Sequence, residues 1–306
     1  MLQFPTALAV PLLVALAFLL LAVFAPRSSK HLFQIIESAF SRLAQRKTLA
    51  IWLLFVSVIS VRLAVLPLLP LPVPGIHDEF SYLLMGDTFA HGRLANPPHP
   101  MWMSFETFHV NWHPTYSSMY PPAQGFVLAL GQWLGHPWIG VLLSDAAMCA
   151  AILWMLQAWL PARWAFLGAT LVAMKFGFAS YWMNSYWGGA VAATGGALVL
   201  GALPRIFRHF WRRDALLLGA GIAILANSRP YEGLLFCIPA AGWFLWWLTG
   251  KTKSRATPRA RLVNVLVPLG IVLASTAAFM GYYNWRLTGN TLLFPHTLNI
   301  DRKSVV

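Results

Sequence analysis

Pro72-Val73-Pro74-Gly75-Ile76-His77-Asp78-Glu79-Phe80-Ser81-Tyr82 opens the one long polar segment in a chain that otherwise reads as hydrocarbon. The segment closes at Tyr120-Pro121-Pro122 and holds four of the nine Asp and Glu residues, five of the nine His, and a single basic residue, Arg93. Adjacent carboxylates beside apolar spans carry a desolvation cost, so they need either partners or a use. The residues after Asp78 have helical spacing, which places the acidic pair at a helix start. Asp78 as N-cap and Glu79 as first-turn acid explain part of the pattern, but a cap needs only one acid. A helix start also fixes a carboxylate rigidly where a general base must be positioned.

Outward from that loop, composition sets the class. The 306 residues are 58% hydrophobic and 10% charged, with a mean hydropathy of +0.62, against roughly 25% charged in a soluble domain. A net charge of +13 raises nucleic acid as a partner. However, 14 of the 22 Lys and Arg fall in three blocks between apolar runs, Arg27 to Lys47, Arg205 to Arg213 and Lys251 to Arg261. That distribution is the positive-inside pattern, so the basicity sets topology against membrane lipid and implies no nucleic acid. The two cysteines, Cys149 and Cys237, lie in apolar segments and imply no disulfide framework.

Apolar runs predict membrane helices at Phe4 to Ala25, Leu49 to Leu69, Ile139 to Leu160, Trp164 to Trp182, Trp187 to Leu203, Ala215 to Asn227, Gly233 to Leu248 and Leu262 to Tyr283. With the basic blocks inside, the Pro72 to Pro122 loop, Asn184 to Tyr186, the Asn227 to Gly233 turn and everything after Tyr283 fall outside. Ala123 to Gly135 is too short to cross without breaking the charge rule, and is expected to be a half-span or surface-lying helix. His31 to Gln45 has an apolar stripe and is expected to lie along the inner surface. The fold class is therefore all-α, a polytopic membrane helical bundle with a helical first loop outside. Residues 1–48 form an extra N-terminal span and an inner amphipathic segment, and residues 49–300 the main transmembrane module with outer loop 72–122. A cleaved signal peptide ending near Ala25 is the alternative for the first run. Residues 301–306, Asp301-Arg302-Lys303-Ser304-Val305-Val306, resemble translated sequencing adapter, and the expectation is a truncated reading frame.

The acids suggest a reaction. A sugar on a polyprenyl phosphate already has a good leaving group, so the hard step is activating the acceptor. One carboxylate of the pair serves as general base, and the second supports it, holds a sugar hydroxyl or binds a divalent cation. Arg229, in Asn227-Ser228-Arg229-Pro230-Tyr231-Glu232-Gly233, is placed outside between two spans and suits a phosphate bidentately. A salt bridge to Glu232 three residues on is an equally good use of it.

An outer first loop that begins with an acidic pair, ends in Tyr120-Pro121-Pro122 and is followed by many spans resembles the C-type membrane glycosyltransferases. Within them the chain is most similar to the protein O-mannosyltransferase and aminoarabinose transferase group. That resemblance implies an inverting transfer from a lipid-linked sugar to a hydroxyl or amine on the outer face of a bacterial-type inner membrane. It also carries the family's catalytic base onto Asp78. The extra N-terminal span and the missing large C-terminal part depart from the family pattern. The competing class is a transporter or flippase of a lipid-linked or anionic solute, which needs charges lining a path through the bilayer.

Other residues weigh less. His109 and His113 are spaced for one helical face, with Glu106 nearby, but lack a third ligand in known geometry and read better as loop histidines. Tyr120, His113, Asn184 and Tyr186, with Arg229 and Glu232, are candidate substrate contacts in ring-rich outer turns. Asp145 and Lys175 are single charges inside spans and are expected to pair. Arg62 is expected to reach the outer headgroups unaided.

Overall fold

A computed structural model describes residues 16, 20, 26–249 and 257–303 of the chain. The rest of the expected first span, Phe4 to Ala25, lies outside these residues, as do most of the third basic block and residues 304–306. The described chain is 73% helix and 2% strand. Four helices are long and apolar enough to cross a membrane: α2 (Lys47–Ala64), α5 (Pro137–Trp159), α7 (Gly189–His209) and α10 (Pro258–Thr288). Around them stand α1 (Pro26–Gln45), α3 (His77–Ala90), α4 (Ala123–Trp133), α6 (Ala162–Phe176), α8 (Arg212–Ala226), α9 (Pro230–Leu248) and α11 (Pro295–Lys303).

The sequence explains several of these boundaries. Pro137 and Pro230 occupy first-turn positions, where a missing N–H costs nothing. His136 accepts from the Trp138 amide as N-cap of α5, and Gly289, at φ 81°, ends α10 in the left-handed region. Two expected spans are too short to cross a hydrocarbon core unaided. Helices α6 and α8 have 15 residues each, or about 22 Å against the roughly 30 Å of a hydrocarbon core. Helix α4, of 11 residues, extends only about 16 Å, in keeping with a segment that does not cross.

Helix α5 packs against α2, α4, α6 and α7, while α8 is held between α7 and α10. One buried cluster gathers around Leu128, Trp138, Met148 and Leu153, and a second around Val199, Leu203, Ile206 and Trp247. The α4–α5 crossing depends on Gly140, whose missing side chain leaves room for the Val127 carbonyl oxygen. Helix α1 is amphipathic as its spacing predicts. Phe40 packs on Phe166 with ring centroids 4.5 Å apart, whereas Ile35 and Ile36 are exposed.

Three expectations about polar residues are corrected. Asp145 is fully buried (0% exposed), Lys175 is exposed, and the two form no ion pair. The reason is that α6 stops at Phe176, which leaves Lys175 exposed in its last turn. Arg62 does not reach outward. It is fully buried, donates to the carbonyls of Leu69 (2.9 Å) and Pro70 (3.4 Å) and to Asn184 Oδ1 (2.9 Å), and lies 4.8 Å from the Trp138 ring centre. Finally, the outer loop is not wholly helical. Val110–Asn111 (β1) and Ser117–Ser118 (β2) pair antiparallel, in the register Val110 with Ser118 and Asn111 with Ser117.

Candidate functional site

Helix α3 begins one residue after Ile76, whose extended backbone (φ −133°, ψ 154°) continues the Pro-rich run. Ile76 is the N-cap, so Asp78 and Glu79 both fall in the first turn and neither caps the helix. Successive helical residues point about 100° apart, and the two acids accordingly meet different surroundings.

Glu79 is 5% exposed and accepts two backbone hydrogen bonds, from the Gly75 amide (2.9 Å) and the Tyr186 amide (3.0 Å). Its carboxylate ties the Pro-rich run and the turn after α6 to the start of α3. The Tyr186 hydroxyl donates to the Pro72 carbonyl at 3.0 Å and reinforces the same junction. Asn184 is committed as well. Its oxygen accepts from Arg62 and its amide donates to the carbonyls of Phe178 (2.9 Å) and Ser180 (2.8 Å). Glu79, Asn184 and Tyr186 thus brace the end of the bundle where α3 begins.

Asp78 faces the other way, with its side chain 26% exposed. It accepts from the Tyr120 hydroxyl, and His109 Nε2 lies 3.9 Å from its Oδ1. Tyr120 is stacked between Tyr82 (4.4 Å) and His109 (5.8 Å). Burial pushes the Tyr82 phenol up to about 12; the nearby Arg229 charge opposes the shift, and Asp78 and Glu232 reinforce it. Burial, followed by donation to Asp78, raises Tyr120 above the usual phenol range too. Both rings therefore remain hydrogen-bond donors at neutral pH.

Tyr82 and Tyr120 line a cavity of about 650 Å3 together with Arg229, Glu232, Tyr283 and Asn284. The segment Phe294 to Thr297, at the start of α11, also lines it. Asp78 abuts the cavity through Tyr120. Arg229 Nη1 lies 3.7 Å from Glu232 Oε1, so the salt bridge expected for this pair is present, with the side chains 40% and 65% exposed. The same two residues line a second, apolar hollow of about 400 Å3 among Ile152, Met155, Ala193, Gly196 and Phe236.

Of the residues expected at the site, the structure brings Asp78, Tyr120, Arg229 and Glu232 together. Glu79, Asn184, Tyr186 and His113 do not line either hollow; His113 is exposed and stacks on Trp102 at 5.5 Å. His109 and His113 share no helical face, because β1 lies between them. No group of three or more His, Cys, Asp or Glu residues placed to hold a metal ion occurs among the described residues. Sequence reasoning gave His109 no role at the site and missed Tyr82, Asn284 and His296. Tyr82 had an available signal, since it lies one helical turn after Asp78. Comparison with protein-family models, with curated proteins and with solved structures finds no match to this chain.

Proposed function

We propose that this chain transfers a sugar from a polyprenyl-phosphate donor to an acceptor hydroxyl or amine at the outer face of a membrane of bacterial type. The observation that carries this reading is the position of Arg229 and Glu232 on the walls of both hollows. A ligand with an anionic head and a long apolar tail meets a guanidinium at the boundary, aromatic rings and amides on one side and hydrocarbon on the other. The Arg229–Glu232 pair is largely solvated, so it is worth about 0–1 kcal/mol. A phosphate that engages Arg229 bidentately can displace it. In the transfer, Asp78 takes the acceptor proton as the acceptor attacks the anomeric carbon. The phosphate departs toward Arg229. Tyr120 holds the carboxylate in place until the acceptor hydroxyl takes over that contact. The resemblance of the outer loop to C-type glycosyltransferases supports the same assignment.

The test is transfer of a labelled sugar from lipid-linked donors by the full chain in liposomes. Asp78→Asn is expected to cut turnover by about 10²- to 10⁴-fold, the usual contribution of a general base, with donor affinity retained. Arg229→Ala is expected to weaken donor binding. Full turnover by Asp78→Asn would refute the assignment, and movement of an intact solute without sugar transfer would identify a carrier instead.

A further inference from the structure

Asp78 has two polar neighbours, and only one of them can relieve it of a proton. Tyr120 already donates its own hydroxyl hydrogen to the carboxylate. Tyr82 stacks behind Tyr120 as a second phenol, and Arg229, whose charge reaches both rings, has no acceptor. His109 is different. Its Nε2 is 3.9 Å from Asp78 Oδ1, a gap that a small ring rotation or one water closes. Its imidazole is oriented by stacking on Tyr120 at 26° between planes. The side chain is 31% exposed, so water reaches it.

The backbone points the same way. His109 sits at φ 64°, in the left-handed region that glycine and asparagine occupy more readily than histidine. Its carbonyl is clamped there by the Ser81 hydroxyl (2.6 Å) and the Met119 amide (3.2 Å), and Ser81 shares a 2.7 Å hydrogen bond with Ser118. Three groups outside β1 thus hold a turn whose geometry would suit a residue without an imidazole. Strained side-chain placement beside a reactive carboxylate is a mark of function.

We propose that His109 is the proton outlet of the site, a relay residue that passes to water the proton Asp78 collects; the assignment rests on the transferase reading above. The balance is simple. The acceptor O–H bond breaks as its oxygen bonds to the anomeric carbon, and the carbon–oxygen bond to phosphate breaks with its electron pair leaving on the phosphate. The proton moves to Asp78 Oδ1 and then to His109 Nε2, while the Nδ1 proton passes to solvent. The carboxylate is restored and the imidazole is again neutral, now as the Nε2–H tautomer, which proton exchange with water returns to the Nδ1–H form before the next turnover.

The experiment uses the full chain in liposomes with a labelled lipid-linked sugar, comparing wild type with His109→Gly, His109→Asn and Asp78→Asn. Because both replacements at 109 favour φ 64°, their Tm is expected to match or exceed that of the wild type. Transfer is nevertheless expected to fall at least about tenfold, and added imidazole should restore most of it in His109→Gly but none in Asp78→Asn. Full transfer by both position-109 variants, with Asp78→Asn inactive, would remove the relay and leave the transferase reading standing. Full transfer by Asp78→Asn would remove both. A fall in Tm that accounts for the lost activity of both position-109 variants, without imidazole rescue, would make His109 a purely structural residue and overturn the relay.

Discussion

Asp78 and Glu79 are neighbours in sequence with different partners in space, and the difference is measurable. Glutamine at 79 keeps one accepting oxygen but turns an NH2 group toward one of two buried backbone amides. A hydrogen bond to a charged group contributes about 1.5–3 kcal/mol, so Glu79→Gln should lower Tm in detergent while the folded fraction binds donor with near-normal affinity. Tyr82 supplies a pH test. Its phenol is raised from 10.0 to about 12, so the folded chain holds a proton that the unfolded chain gives up. The corresponding stability is complete below pH 10 and is lost as pH climbs toward 12; Tyr82→Phe should flatten that loss in a pH series of melting curves. Side-chain direction was the least legible quantity at this scale. The adjacency of Asp78 and Glu79 marked a candidate site, but nothing in it said which acid would be enclosed by amides. Asp145 and Lys175 were visible as intramembrane charges, yet pairing them required a helix end that the apolar run Trp164 to Trp182 hides, since α6 stops at Phe176.

Among the elements, long apolar periodicity was the readable signal, and the four helices long and apolar enough to cross a membrane fall where hydropathy put them. Short elements were harder, because their limits are set by packing. Helix α4 exists as expected, but its place depends on Gly140 in α5, where a Cβ would collide with the Val127 carbonyl oxygen. Backbone cannot move aside as a side-chain tip can. Gly140→Ala should therefore cost about 1–3 kcal/mol, the usual penalty for overpacking, and appear as a lower Tm and a reduced monodisperse fraction. The two-strand ribbon carried no signal, since two residues per strand are too few for a period of two to show.

Across the whole molecule, the closing contact was invisible to sequence because it joins residues 188 positions apart. The Asn299 amide donates to the Val110 carbonyl (3.0 Å) and Asn111 Oδ1 (3.1 Å), while the Asn111 amide donates to the Pro295 carbonyl (3.0 Å). These bonds fasten α11 across the larger cavity. A nine-residue helix has little stability of its own, so Asn299→Ala should speed amide exchange in α11 and weaken donor binding several-fold, with the bundle Tm nearly unchanged. The wall common to the two hollows limits what can fill them together. A solute at home only in water would leave the lower chamber empty, and a plain hydrocarbon would make nothing of the charged threshold above it. An amphiphile with its polar end at residue 229 suits both. Under the proposed transfer, one reactant would come in sideways from oil while the other drops in from water, and the spent carrier and the product would part by different doors.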